Sequence, residues 1–416
     1  MKRLLLSMAA VPLMVGGLAI TASADDGINI LNDIKLKGEI RPRYEYADVK
    51  DNGKDAANAF TARVHLAVTA GLFGVDGLST TIGIQTVNNF GSNNYNSTDN
   101  GQAQYDVVKD PQFAMLSEAT LDYSIGKTAL HVGRSQVNLD NQRFIGTVGW
   151  RQNERSYDTA YFANNDIENL NVLVAYVYGF QGVGTADTAD TNSILLNASY
   201  KVMDELKITA YDYMLSSISD TYGVALTGKV DLGAKLTYRA EYAQQTDSSM
   251  KTGSKAKGKA DANYMNFDLG ANFSGILAGL NYEVLSGAST SSGSETAFNP
   301  VLGTNQKFNG WADVFYVAAL PTGGLQDMNI RLGYKADGFG KVLAVYHDFK
   351  SDTTATGASD DLGSEIDVVY VNKIPGVNGL TGLVKYASFS KGSATNGYAA
   401  SQSDKQVAWV QLDYKF

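Results

Sequence analysis

Gln406-Val-Ala-Trp-Val-Gln-Leu-Asp-Tyr-Lys-Phe416 is the stretch on which the fold turns. Counted back in twos from Phe416, it places Tyr414, Leu412, Val410 and Ala408 on one face. Lys415, Asp413, Gln411, Trp409 and Val407 fall on the other. A period of two sustained over about ten residues is a strand with one apolar and one mostly polar side. A soluble sheet alternates in the same way, so the decision rests on the surroundings. Long alternating strands with aromatic-rich apolar faces recur along the chain, and a secretory leader precedes them. Together these indicate a membrane β-barrel that this strand closes.

The leader is Met1-Lys2-Arg3, an apolar run from Leu4 to Ile20, then Ala22-Ser23-Ala24. A basic start, a short apolar core and small residues two apart predict a signal peptide cut after Ala24. Residues 25–416 then form a single barrel domain. No later segment approaches the roughly 18 consecutive apolar residues that a spanning helix needs. The formal charge of −9 becomes −11 once Lys2 and Arg3 leave, which argues against a nucleic-acid partner. Zero cysteines exclude thiol chemistry and cysteine metal sites; 42 glycines and 24 tyrosines against 6 prolines suit strands and turns.

Further in, Asp33 to Tyr46 sets Lys35, Lys37, Glu39, Arg41, Arg43 and Glu45 on one face against Ile34, Leu36, Gly38, Ile40, Pro42 and Tyr44. Consecutive charges facing one way need water or mutual pairing, so this face is expected to line a water-filled lumen. Phe60 to Ala70, Ala234 to Tyr242, Met265 to Phe273 and Met328 to Tyr334 repeat the pattern, and the first of them adds Arg63 to the charged wall. Aromatic residues near the ends of the apolar faces are expected to form interfacial girdles.

The connections alternate in length. Short turns are expected near Gly74 to Gly77, Gly126-Lys127, Asn165 to Asn169, Met203-Asp204, Asp231-Leu232, Ser274-Gly275, Asp337 to Gly340 and Pro375 to Gly379. Longer connections lie between them, among them Arg134 to Ser156, Gln181 to Asn192, Ser216 to Asp220, Gln244 to Asp261 and Ser286 to Gln326. Nine long and eight short connections give an antiparallel up-and-down barrel of eighteen strands with both termini on the short-turn side. Trp311 to Ala319 is apolar enough for a strand, but single-chain bacterial barrels have even strand numbers, so it is assigned to the seventh long connection. Sixteen strands is the alternative, because Tyr157 to Ala163 and Gly223 to Thr227 are weak strands.

Chemistry concentrates in the third long connection, GRSQVNLDNQRFIGTVGWRQNERSYD from Gly133 to Asp158. Folded inward, Arg134, Arg143, Arg151 and Arg155 facing Asp140 and Asp158 would narrow the pore and set a local field on permeating ions. The bland reading is that the same charges pair only to brace a surface loop. Asp360-Asp361 and Glu365 to Asp367 carry enough carboxylate oxygens for calcium, though isolated loop acids are usually just solvated.

The runs Leu139-Asp-Asn-Gln-Arg-Phe-Ile-Gly146 and Gly149-Trp-Arg-Gln-Asn153, with Phe308-Asn-Gly-Trp-Ala-Asp313, Pro321 and Gly324-Leu-Gln-Asp327, resemble the alginate-export-like and related major outer-membrane porins of Gram-negative bacteria. That resemblance implies an outer-membrane channel without fixing its solute. A terminal aromatic such as Phe416 likewise resembles the signal by which outer-membrane barrels are recognised for assembly.

Enzyme readings lack a constellation. The three histidines, His65, His131 and His347, are scattered, no G-x-S-x-G elbow occurs, and Gly340-Lys341 is followed by Val342, so the phosphate-binding loop pattern fails. The reading is therefore a porin: a passive channel for small hydrophilic solutes and ions, embedded in outer-membrane lipid, needing no cofactor or metal, with a homotrimer as one expected assembly. A dedicated channel for an anionic oligosaccharide, or a surface adhesin on a barrel anchor, are the alternatives.

Overall fold

The computed structural model describes residues 30–250, 261–288, 297–316, 319–354, 356–394 and 403–416. The expected leader, residues 1–24, lies outside them. The strands are β1 (Leu31–Val49), β2 (Ala57–Leu72), β3 (Leu78–Asn88), β4 (Ala114–Ile125), β5 (Thr128–Ser135), β6 (Ser156–Asn164), β7 (Leu170–Gln181), β8 (Thr188–Met203) and β9 (Leu206–Leu215). They continue as β10 (Ser219–Asp231), β11 (Lys235–Thr246), β12 (Asp261–Phe273), β13 (Ile276–Ser286), β14 (Gly324–Ala336), β15 (Gly340–Lys350), β16 (Asp361–Lys373), β17 (Leu380–Lys391) and β18 (Lys405–Lys415). Each pairs antiparallel with its sequence neighbour and β1 pairs with β18, so the eighteen-stranded sheet closes with no edge. Closure leaves every strand with a hydrogen-bonded neighbour on both sides, the condition for a sheet that crosses lipid.

All eight expected short turns are present, and 311–316 lies outside any strand in the seventh long connection. Two connections are shorter than expected. β8 begins at Thr188, and only residues 216–218 separate β9 from β10. The polar stretch Thr188 to Asn192 pairs as strand beyond the apolar band, where alternation gives no signal. Tyr157 to Ala163 and Gly223 to Thr227, weak by pattern, are held as full members of β6 and β10 by register with both neighbours.

β1 and β18 show which face is which. Val410, Leu412 and Phe416 are outward and half exposed, while Val407 and Trp409 are buried inside. The seam ends with Gly38 N–H donating to the Phe416 carbonyl at 2.8 Å and Phe416 N–H donating back at 3.1 Å. The tip of the Phe416 ring lies against Gly38; a Cβ there would come 2.3 Å from its Cζ. A side chain at this position would displace the ring from the point where the last aromatic covers the first strand.

Tyrosines mark the long-loop edge of the apolar band. Tyr44, Tyr176, Tyr222, Tyr242 and Tyr282 each donate a hydroxyl hydrogen bond to a side-chain amide oxygen on the next strand: Asn58, Asn192, Gln244, Asn263 and Gln326. At the short-turn edge, Tyr334, Phe339 and Tyr370 pack in sequence, tilted and edge to face, 5.6 and 5.7 Å between centroids. An aromatic ring body toward lipid with its polar tip satisfied suits an interface.

Candidate functional site

Loop 3 (136–155) and the described residues of loop 7 (287–288, 297–316 and 319–323) run into the lumen and meet there. Loop 3 turns inward at Leu139 to Gln142, where Gln142 N–H donates to the Leu139 carbonyl at 2.9 Å. The turn carries Phe144 across to the inner faces of β9 and β12, where its ring lies 5.5 Å from Tyr211, 5.1 Å from Tyr264 and 5.8 Å from Phe298 of loop 7. Burying a phenylalanine contributes roughly 1.5–3 kcal/mol. A loop that seats Phe144 and Ile145 in this nest has a driving force for folding inward.

Loops 3 and 7 are stitched backbone to backbone. Gly146 N–H donates to the Leu302 carbonyl at 2.9 Å, and Thr304 N–H to the Gln142 carbonyl at 3.0 Å. Arg155 Nη1 donates to the Leu302 and Gly146 carbonyls at 2.7 and 3.1 Å.

The two walls hold the loops by opposite charge. On β1, Arg41 donates to the carbonyls of Gly149 and Arg151 at 2.9 and 2.6 Å and to Gln152 Oε1 at 3.1 Å. Arg43 donates to the Trp150 carbonyl at 2.6 Å and to Gln411 Oε1. Arg63 on β2 pairs with Glu154 and, at 3.2 Å, with Glu39. On β16 and β13, carboxylates grip loop 7: Trp311 N–H donates to Asp367 at 3.1 Å, Ala312 N–H to Glu365 at 2.6 Å, and Asn309 Nδ2 to Glu283 at 2.6 Å. Gly310 has φ +84° and lies against the Glu365 carboxylate, leaving no room for a side chain. Guanidinium groups thus satisfy the carbonyls of one loop while carboxylates satisfy the amides of the other. Such charge-assisted bonds are about twice as strong as neutral ones.

The residues singled out from sequence separate into groups. Asp140, Arg143, Arg151 and Arg155 lie in the strap. Asp140 reaches Arg239 on β11. Arg143, 1 % exposed, donates to Glu283 and Asn309 at 2.9 Å each and to Asn305 at 3.2 Å. Arg151 forks onto Glu45 at 3.2 Å. Burial works to lower the Arg151 pKa, but Glu45 and Asp110 outweigh it and hold the guanidinium above its ordinary value. Burial likewise works to raise the Glu154 carboxyl, yet Arg63 and then Arg41 hold it below the usual carboxylate range.

Arg134 and Asp158 do not join the strap. They are register partners at the ends of β5 and β6 and form a two-pronged pair at 2.7 Å on both prongs. Arg134 shares parity with Leu130 and Val132, both outward, so the pair sits on the outer surface near the long-loop rim. Lys35 and Lys37 share the charged face of β1 but are exposed near its short-turn end, away from the loops, whereas Glu39, Arg41, Arg43 and Arg63 are buried.

Sequence reasoning passed over the acidic wall: Glu283, Asp327, Glu365 as a loop-holding group, and Asp367. All are inward by strand parity and buried. Glu365 and Asp367, weighed for calcium, instead accept from loop 7 amides, and no metal-binding group occurs among the described residues. The histidines are also wall residues: His65 lies 2.9 Å from Glu118, His131 2.6 Å from Asp122, and His347 2.9 Å from Asp327.

Above and below the strap the lumen opens. A cavity of about 710 Å³ on the short-turn side is lined by Lys229, Lys235, Arg331, Lys341 and Asp268. Another of about 780 Å³ on the long-loop side is lined by Arg151, Arg155, Phe180, Trp311 and Lys405. The arrangement is a lumen crossed at one level by a strap of loops 3 and 7, whose charges pair with carboxylates and guanidinium groups of the wall.

No family model matches the chain, and no curated protein matches it. Solved structures share its fold. OccAB3 of Acinetobacter baumannii superposes with a TM-score of 0.72 at 16% identity, over 92% of this chain and 99% of that one. OpdO of Pseudomonas aeruginosa gives 0.70 at 14%, over 93% and 98%. OccK8 (OprE) of the same organism gives 0.68 at 16%, over 93% and 99%.

Proposed function

We propose that the protein is an outer-membrane porin, a passive channel for small hydrophilic solutes and ions in a Gram-negative envelope. The observation that carries this reading is the strap. Loop 3 is held on one side of the barrel by Arg41 and Arg43 and on the other by Glu283 and Arg239, so the lumen narrows at a defined level while staying polar above and below it. A closed sheet with an apolar outer band and a polar interior suits passage of hydrated solutes across lipid. Passage down a gradient needs no cofactor and no energy source. The signal peptide ending at Ala24, the assembly role of Phe416 and a homotrimeric state belong to the same reading. Whether the chain is of the alginate-export-like kind is a finer question, and no described feature favours the anionic-oligosaccharide channel or the adhesin anchor over the general channel.

Purified protein in planar bilayers tests it. Discrete, ohmic, persistent current steps are expected, together with swelling of proteoliposomes in small sugars or amino acids. Protein that inserts, shows heat-modifiable migration and passes no current would refute the channel.

A further inference from the structure

We propose that the Lys385 ammonium is a latch that docks both lumenal loops onto the closing strand, seated in a box built from every tryptophan of the chain. The sequence has three tryptophans. Trp150 comes from loop 3, Trp311 from loop 7 and Trp409 from β18, and their ring centroids lie 4.0, 4.3 and 4.8 Å from Lys385 Nζ. Trp150 and Trp409 stand edge to face at 84°. Lys385 and Trp409 are register partners across β17 and β18, which fixes the floor of the box. The Gln306 carboxamide of loop 7 faces two donors, Lys385 Nζ at 3.2 Å and Trp150 Nε1 at 2.8 Å, which assigns its oxygen to that side.

The chemistry is that of an aromatic cage for an ammonium ligand, occupied here by the protein's own side chain. Among the described residues no carboxylate lies within ion-pair distance of Nζ; Asp367 and Glu365 act on it from further away, and Arg43 and Arg151 oppose it. The charge is therefore held by π faces and one carbonyl, which strengthens as water is excluded. Trp150 is clamped between two cations, since the Arg43 guanidinium lies 4.3 Å from its centroid. The corner of loop 3 also hangs on Arg41 and Arg43 of β1, and that of loop 7 on Glu365 and Asp367 of β16. Lys385 on β17 lies in the sheet between these two anchors and joins the two corners, so its removal frees them to move relative to the closing strand while each keeps its own anchor. Lys385 is a positioning residue for the constriction.

The electrical part of this proposal rests on the channel reading; the optical part does not. Because every tryptophan belongs to the box, tryptophan emission reports on it without background. Lys385→Ala should shift emission to the red and raise flicker between current levels several-fold, with heat-modifiable migration retained. Millimolar methylammonium, small enough for the vacated site, should return both readouts toward wild type, while leaving wild type and Lys385→Met unchanged. Wild-type emission and current in Lys385→Ala would overturn the latch. So would a red shift and flicker that methylammonium fails to reverse, because a role in packing alone predicts that result. If the alanine variant does not assemble, Lys385→Met decides by current: wild-type noise overturns the latch, and raised flicker upholds it. A wild-type protein that carries no current refutes the channel, but leaves the emission shift and its rescue to judge the latch.

Discussion

Arg143 of loop 3 and Glu283 of β13 meet at 2.9 Å with side chains each 1 % exposed, and the Glu283 carboxylate also accepts from Tyr264 and Asn309. This pair fastens loop 3 to β13, at a separate point of the wall from the arginines of β1. A buried pair broken at one end costs about 3–5 kcal/mol, because the remaining charge has no partner.

Arg143→Ala should therefore lower the temperature at which unboiled protein converts to the slow, boiled form on a gel. The paired Arg143→Met/Glu283→Met variant should recover most of the loss, since replacing both partners with apolar groups is often neutral. A single variant as stable as wild type would mean that the pair does not hold the loop.

Phe416 covers Gly38 at the seam where β18 meets β1. Replacing Phe416 with Asp places a charge on the outward, apolar face and uncovers that junction. The expected outcome is a lower yield of heat-modifiable protein in outer-membrane fractions, and a lower yield on refolding into lipid vesicles. Wild-type yields in both assays would leave the terminal aromatic without a role in either assembly or closure.

Glu154 sets a pH dependence. Burial alone would raise its pKa, but Arg63, Arg41 and His65 bring the folded value below the ordinary one. A carboxyl depressed on folding contributes fully above its unfolded value of about 4.3 and loses that contribution as pH falls through the folded value. The gap in gel-shift conversion temperature between wild type and Glu154→Gln should be constant near neutrality and close as pH drops below about 4. A gap that widens in acid would show that the charged form is not the favoured one.

Much of the barrel was legible because a closed sheet with an apolar outer face and a polar lumen imposes a period of two that loops do not imitate. Trp311 to Ala319 could be kept out of the sheet by parity alone, and residues 311–316 lie outside any strand. Thr188 to Asn192 was missed as strand because a polar rim extension carries no alternation. Loop 3 was legible as the densest charged stretch, but its partners were not: Arg143 meets Glu283 across 140 residues, and nothing local encodes that. Arg134 was the avoidable miss. Continuing the count from Leu130 and Val132 puts it on the outer face, where it pairs with Asp158. Glu283 and Asp327 each stand as the one carboxylate of their own strands, so only the closed sheet brings them together with Glu365 and Asp367 of β16.

The central claim is that loops 3 and 7 are docked on each other inside a conducting lumen. A cysteine-free chain allows a direct test. A Cβ at Gly146 would lie 2.2 Å from Thr304 Oγ1, so the two positions adjoin across the loop 3–loop 7 contact, and Gly146→Cys/Thr304→Cys can be bridged once the loops give slightly to reach the roughly 3.5–4.5 Å Cβ separation of a disulfide. Single-channel current of this variant should show the wild-type step size when oxidised and again after reduction, with the disulfide forming under mild oxidation. A pair that stays reduced, or a current that appears only once the bond is cut, would contradict a strap that is already closed in the conducting state.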